Sequence, residues 1–376
     1  MDWPVATAYA TIFAATLGYT DRVSDALQPA PSSFGIGRVA QQQSIPKQST
    51  LAQDPGMSAS TALPPVTTAK ADAWIVPNID ALPNDEWGKA VRFGRELTVA
   101  TYAHLGPEVA NPAKRFAGSN MSCQSCHLEA GAKEFGLPFV GVFADFPQYR
   151  SREGEVGTLE DRINGCMTRS LNGRALPIDS YEMKAFVAYI KFLSTGRPVG
   201  AKTLGRGPGE MAELARPADP VAGAKVFAQT CSACHGDNGQ GKPVGVAGDA
   251  KGYEFPPLWG SDSFNNGAGM GPLISAANFI HSNMPNGTTY DQPALSVEEA
   301  WDVAAYVESM KRPQKAGLDK DFPIRTEKPA DAGYGPYVDG FSEDQHKFGP
   351  FQPIRDKLKA LKKASTAAEG TKPSVR

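Results

Sequence analysis

Two pentapeptides, CQSCH at Cys123 to His127 and CSACH at Cys231 to His235, each place two thiols three positions apart with a histidine directly after them. On the first turn of a helix, this spacing lets both thiols add to the vinyl groups of one porphyrin, and the histidine then stands beneath the iron as an axial ligand. A C-x-x-C pair can also be a disulfide, a redox couple or half of a zinc site. Zinc would draw both pairs into one cluster, whereas here each pair has its own histidine and the two lie far apart in the chain. The sequence therefore reads as carrying two covalent haem c groups. Cys123, Cys126, Cys231 and Cys234 are the attachment points, and His127 and His235 are the iron ligands.

The chain has five cysteines, so one is left over: Cys166, in DRINGCMTRSLNG. It follows His127 by 39 residues, a separation that suits a distal iron ligand, but its neighbour Met167 satisfies the same spacing. Met183 is a third candidate and reads better as core, because it shares an apolar helix face with Phe186, Val187 and Ile190. A free cysteine is commonly just a small buried hydrophobe. Against that stand Arg150, Arg152, Arg162, Arg169 and Arg174, whose charge favours the thiolate that binds iron and attacks electrophiles. For the second iron the candidates are Met284 (HSNMPNG) and Met270 (GAGMGP), with His281 and Lys251 behind them. Met284 is favoured, since a methionine followed by proline shortly before a closing helix is the usual way to present the sulfur. Methionine ligation raises the potential, which suits a haem that passes electrons on.

The elements that must position these groups are visible as a repeat. NDEWGKAVRFGRELTVATYAHLG predicts a helix capped by Asn84 or Asp85 and leading to the first haem motif; SYEMKAFVAYIKFLSTG predicts a closing helix from the Ser180 cap to Gly196. DPVAGAKVFAQTCSACHG and SVEEAWDVAAYVESMKRP repeat that order. The predicted fold is mainly α: two cytochrome c-like helical domains in tandem, each wrapping one covalent haem, with a long irregular C-terminal tail. The expected boundaries are a leader over 1–26, a disordered Pro, Ser and Gln-rich linker over 27–73, domains over 74–200 and 215–315, a linker over 201–214, and an extended tail over 316–376. The tail is expected to fray after about Lys363.

With 376 residues, 41% of them hydrophobic, and a formal net charge of -2, the chain can build two cores and shows no global bias towards nucleic acid. Covalent haem is attached outside the cytoplasm, so a soluble, exported, periplasmic protein is expected. The apolar run from Val5 to Gly18 suits a signal segment, although no basic residue precedes it.

EDRINGCMTRSLNG, together with SCQSCHLEAG, WGSDSFNNGAGM and NMPNG, resembles the thiosulfate dehydrogenase family of dihaem cytochromes c over about Trp87 to Pro313. The resemblance implies an enzyme that joins two thiosulfates into tetrathionate with loss of two electrons, a reaction some members run in reverse, and passes the electrons to an acceptor cytochrome or similar partner. It implies that Cys166 is the thiolate ligand of the haem on His127, that Arg152, Arg162 and Ser170 line the substrate pocket, and that Met284 holds the second iron. In members with a lysine ligand the lysine directly precedes that methionine; here Asn283 stands there, so a switch between lysine and methionine is not expected. The competing readings are a dihaem electron carrier without a substrate and a cytochrome that loads thiosulfate onto a carrier protein's cysteine.

Overall fold

The computed structural model describes residues 74–370 apart from 202, 247, 248 and 250, so the expected leader and the whole of the Pro-rich linker lie outside the described residues. Helix α1 (Glu86–Val99) starts where Asp85 accepts a hydrogen bond from Gly88 N at 2.8 Å. The single helix expected here is two: Ala100 leaves the helical region, and α2 (Thr101–Leu105) follows. The first haem motif comes next, ending in a one-turn element α3 (Leu128–Gly131). A small antiparallel hairpin, β1 (Gln148–Arg150) with β2 (Glu155–Gly157), then delivers the chain to α4 (Leu159–Arg169). Thr158 and Asp161 form a reciprocal capping box at the start of α4, which fixes where the helix begins and so which face carries Cys166. Ser180 caps α5 (Tyr181–Leu193), as expected, and Met183 is fully buried in it.

The second domain repeats the plan with α6 (Pro220–Val226), α7 (Ser232–His235), the β3 (Lys242–Pro243) and β4 (Tyr253–Phe255) pair, α8 (Leu273–Asn283) and α9 (Val297–Ser309). The expected helix into the second motif widens to a π-helical stretch at Phe227–Cys231 just before the thiols. The same device closes both domains. A Cβ on Gly94 of α1 would lie 2.0 Å from the Ala185 carbonyl of α5, and one on Gly223 of α6 would lie 1.8 Å from the Asp302 carbonyl of α9. Glycine is what lets each pair of helix backbones touch.

The stretch between the domains packs on the first one: Phe135 N donates to Gly205 O at 2.7 Å, and Arg206 forms a paired salt bridge with Asp145. The tail runs irregularly to Phe341, then forms α10 (Glu343–Phe348) and α11 (Gln352–Gly370), so helix continues beyond Lys363. Phe351, Ile354 and Leu358, spaced for one helical face, bury against Trp301 and Leu273 of the second domain and hold α11 there. Among the described residues no helix is long and apolar enough to cross a membrane.

Candidate active site and haem cavities

Each C-x-x-C-H motif lines a cavity. The first, about 590 Å³, is walled by Cys123, Cys126 and His127, by Leu137, Phe139, Val142, Phe186 and Ile190, and by Cys166 with Arg162, Met167 and Ser170. The second, about 370 Å³, is lined by Cys231, Cys234 and His235, with Met270 and Met284 both in its wall. Met121, Ser122 and Cys126 belong to both cavities, so one short stretch of chain separates the two sites.

The residues fit haem rather than a bare metal. His127 Nδ1 bonds the Leu137 carbonyl, and His235 Nδ1 bonds the Pro256 carbonyl at 2.8 Å. Each bond sets the ring orientation and leaves Nε2 as the free donor for an iron. All five cysteines are free thiols, and among the described residues no group of three or more His, Cys, Asp and Glu side chains could hold a metal on its own.

The three thiols of the first cavity differ sharply in acidity. Burial pushes Cys123 and Cys126 up to about 12. Burial also raises Cys166, but Arg162 first, then His127 and Arg150, outweigh it and bring the thiol down to about 6. Arg162, one turn earlier on α4, donates from Nη1 to Cys166 Sγ at 3.0 Å. Cys166 and His127 thus stand together in this cavity, and the Cys166 thiol is the most acidic of the three. Met167 lines the same cavity and is 1% exposed, packed with Leu97, Phe116 and Leu176.

The structure brings together Cys166, Arg162, Ser170 and His127, but it does not bring Arg152 with them. The Arg152 guanidinium lies against the Phe322 ring, 5.6 Å from its centre, and donates to Gly267 O at 3.2 Å, outside the cavity lining. Its neighbour Arg150 acts on Cys166 instead, held by Glu153 at 2.9 Å. Arg206 was not singled out by sequence: it reaches the first cavity from the segment between the domains, where a Gly and Pro-rich stretch reads as a connector. Asn283, which directly precedes Met284, is fully buried and donates to Phe135 O of the first domain at 2.9 Å. It ties the domains together, as does Asn265, which donates to Thr168 O and to Asn172 Oδ1 beyond α4, each at 3.0 Å.

A tandem of two helical domains, each with a haem-attachment cavity and one with a third, acidic thiol in its cavity, defines a dihaem cytochrome c. The comparisons agree. Residues 113–199 match the SoxA/TsdA cytochrome c domain and residues 220–311 the cytochrome c model. The chain is 40% identical over 238 residues to the thiosulfate dehydrogenase of Thiomonas intermedia, covering 63% of this chain and 71% of that protein. It is 42% identical over 246 residues to that of Allochromatium vinosum, covering 64% and 85%. Among solved structures it is similar to the thiosulfate dehydrogenase TsdBA of Marichromatium purpuratum in its as-isolated form, with TM-score 0.58 and 32% identity over 73% of this chain. This chain spans about half of that one, 54%. The chain belongs to the thiosulfate dehydrogenase family and carries two covalently bound haem c groups.

Proposed function

We propose that this protein oxidises two thiosulfates to tetrathionate at the first cavity. The observation that carries the reading is the acidic Cys166 thiol, in one cavity with His127 and held by Arg162, with Ser170 in the same wall. Thiosulfate is a dianion, and drawing two of them together requires concentrated positive charge. Arginine supplies that charge with planar paired donors suited to a sulfonate.

The chemistry balances as two steps on sulfur. Cys166 S⁻ bonds the outer sulfur of one thiosulfate, and two electrons leave as the S–S bond forms. The outer sulfur of a second thiosulfate then attacks that sulfur, forming tetrathionate and returning Cys166 as thiolate. Arg162 stabilises the thiolate at the beginning and end, and Ser170 orients the sulfonate. Arg152 joins from the tail side, exchanging its Gly267 carbonyl contact for a sulfonate oxygen. The two haems, when bound, would supply one-electron acceptors, with His235 and Met284 as the residues that would hold the second, and a separate acceptor protein outside the cytoplasm would receive the electrons. The same steps reversed reduce tetrathionate.

The test is an anaerobic assay of purified dihaem protein for thiosulfate-dependent reduction of its own haems, with tetrathionate measured as product. Haems that stay oxidised in thiosulfate but are reduced by a small-molecule donor would make the protein an electron carrier instead.

A further inference from the structure

Of the three carboxylates in the wall of the second cavity, Glu129 and Glu254 are exposed and Glu308 is not, and neither haem attachment nor sulfur chemistry uses it. Glu308, in the last turn of α9, lines that cavity together with His235, and its side chain is 10% exposed. Its Oε1 is shut off from solvent and has no hydrogen-bond partner, while Oε2 pairs with Arg312 Nη2 at 3.2 Å. A carboxylate oxygen left without a donor in an apolar wall is costly; the protonated acid, which is neutral, is much less so.

Arg312 cannot relieve the orphan oxygen by swinging across. Its side chain is 4% exposed, it lies over the Phe264 ring at 4.1 Å, and it is pinned by bonds to Val307 O at 2.8 Å and Leu258 O at 3.4 Å. Facing the cavity from the other elements are His235 after the haem motif, Tyr253 and Glu254 of β4, and Glu129 and Lys133 of the first domain. Among the described residues Arg312 alone makes an ion pair with Glu308.

We infer that Glu308 is a proton-binding site coupled to the oxidation state of the second haem. When that site gains an electron, the added negative charge disfavours the carboxylate, and Glu308 takes up one proton that comes from solvent. When the electron leaves for the acceptor, the proton returns. No proton is made or consumed over a full turnover. Burial, opposed only by Arg312, brings Glu308 up to about 7, so the exchange falls in the neutral range. The inference rests on the second haem being held at His235, not on thiosulfate being the substrate.

Spectropotentiometric titration of the intact dihaem protein with a chemical reductant, in the absence of thiosulfate, tests it. The second haem's potential should fall as pH rises through neutrality, approaching a tenfold change in its redox equilibrium per pH unit, about 59 mV. Glu308→Gln, which keeps the shape and adds a donor in place of the acid, should flatten that slope while leaving haem content and the first haem's profile unchanged. Redox-difference infrared spectra of the unaltered protein provide a readout that does not depend on the variant folding: a protonated carboxyl band should appear on reduction. A flat pH profile in the unaltered protein, a slope that survives Glu308→Gln, or no carboxyl band would each reduce Glu308 to a structural partner of Arg312 and overturn the inference.

Discussion

Arg162 and Cys166 stand one turn apart on α4, and the guanidinium donates directly to the sulfur at 3.0 Å. The contact links thiolate chemistry to a helix whose start is set by its capping box, so the thiolate and its stabilising charge move as one rigid unit. Cys166→Ala should retain two covalent haems, since no attachment thiol is touched, and lose thiosulfate-dependent haem reduction. Arg162→Gln should keep the sulfur and lower that rate by about 100-fold, the usual scale for removing one charge-stabilising donor. Stopped-flow haem reduction, with haem counted by absorbance, checks both.

Asp321 in the tail holds Arg169 at the end of α4 through two bonds of 2.7 and 2.8 Å, with both side chains about nine-tenths buried. Tyr334 adds a third bond to the same carboxylate at 2.7 Å. Asp321→Asn leaves a desolvated guanidinium without its counter-charge and should destabilise the protein by about 3 kcal/mol. The half-exposed Lys347 and Glu343 pair is the control: Lys347→Ala should change stability by less than about 0.5 kcal/mol. Thermal unfolding followed by circular dichroism compares the two.

Gly94 sits where α1 meets the backbone of α5. Gly94→Ala forces that crossing apart and should cost about 3 kcal/mol, as overpacking of a closed core does. Gly269, which has open space around its Cβ direction, should accept alanine with little loss of stability. Chemical denaturation midpoints give the ranking, and equal midpoints would show that the helix crossing yields easily.

Asp331 accepts from Ile274 N at 3.1 Å and so caps α8, whose Pro272 offers no side-chain cap. Burial raises its carboxyl from 3.8 to about 6. An acid whose folded value is raised holds its proton more tightly when folded, so stability is lost as pH rises from about 4 to 6 and stays lost above that. Asp331→Asn keeps a cap oxygen without the charge. It should raise the melting temperature at pH 7.5, by up to about 3 kcal/mol of stability, and make no difference below pH 4. A shift of equal size at both pH values would rule out titration as the cause.

Much of this was legible in the chain because it is local. Haem attachment occupies five consecutive residues, and the caps Asp85, Ser180 and Ser296 lie within three or four residues of what they bind. Cys166 stood out through the odd cysteine count, and its stabiliser Arg162 is four residues away. What the sequence could not show is contact across long separations. Arg152 faces Phe322 and Gly267, Arg169 faces Asp321, and the connector's Arg206 closes on Asp145; none of these pairings has a spacing signal. Helix α11 was readable in principle from Phe351, Ile354 and Leu358, but the Pro and Gly-rich run before it masked the period.

Met121, Ser122 and Cys126 form a partition between the two cavities, and Cys126 is itself a point of haem attachment. The second haem's attachment thiols, Cys231 and Cys234, stand on the other domain, so the spacing of the two cofactors is set by how the domains press together. A loosened interface, through Asn265 or Asn283, would widen the gap an electron must cross as well as change the tilt between domains. The rate of internal electron passage should therefore report damage to that interface early.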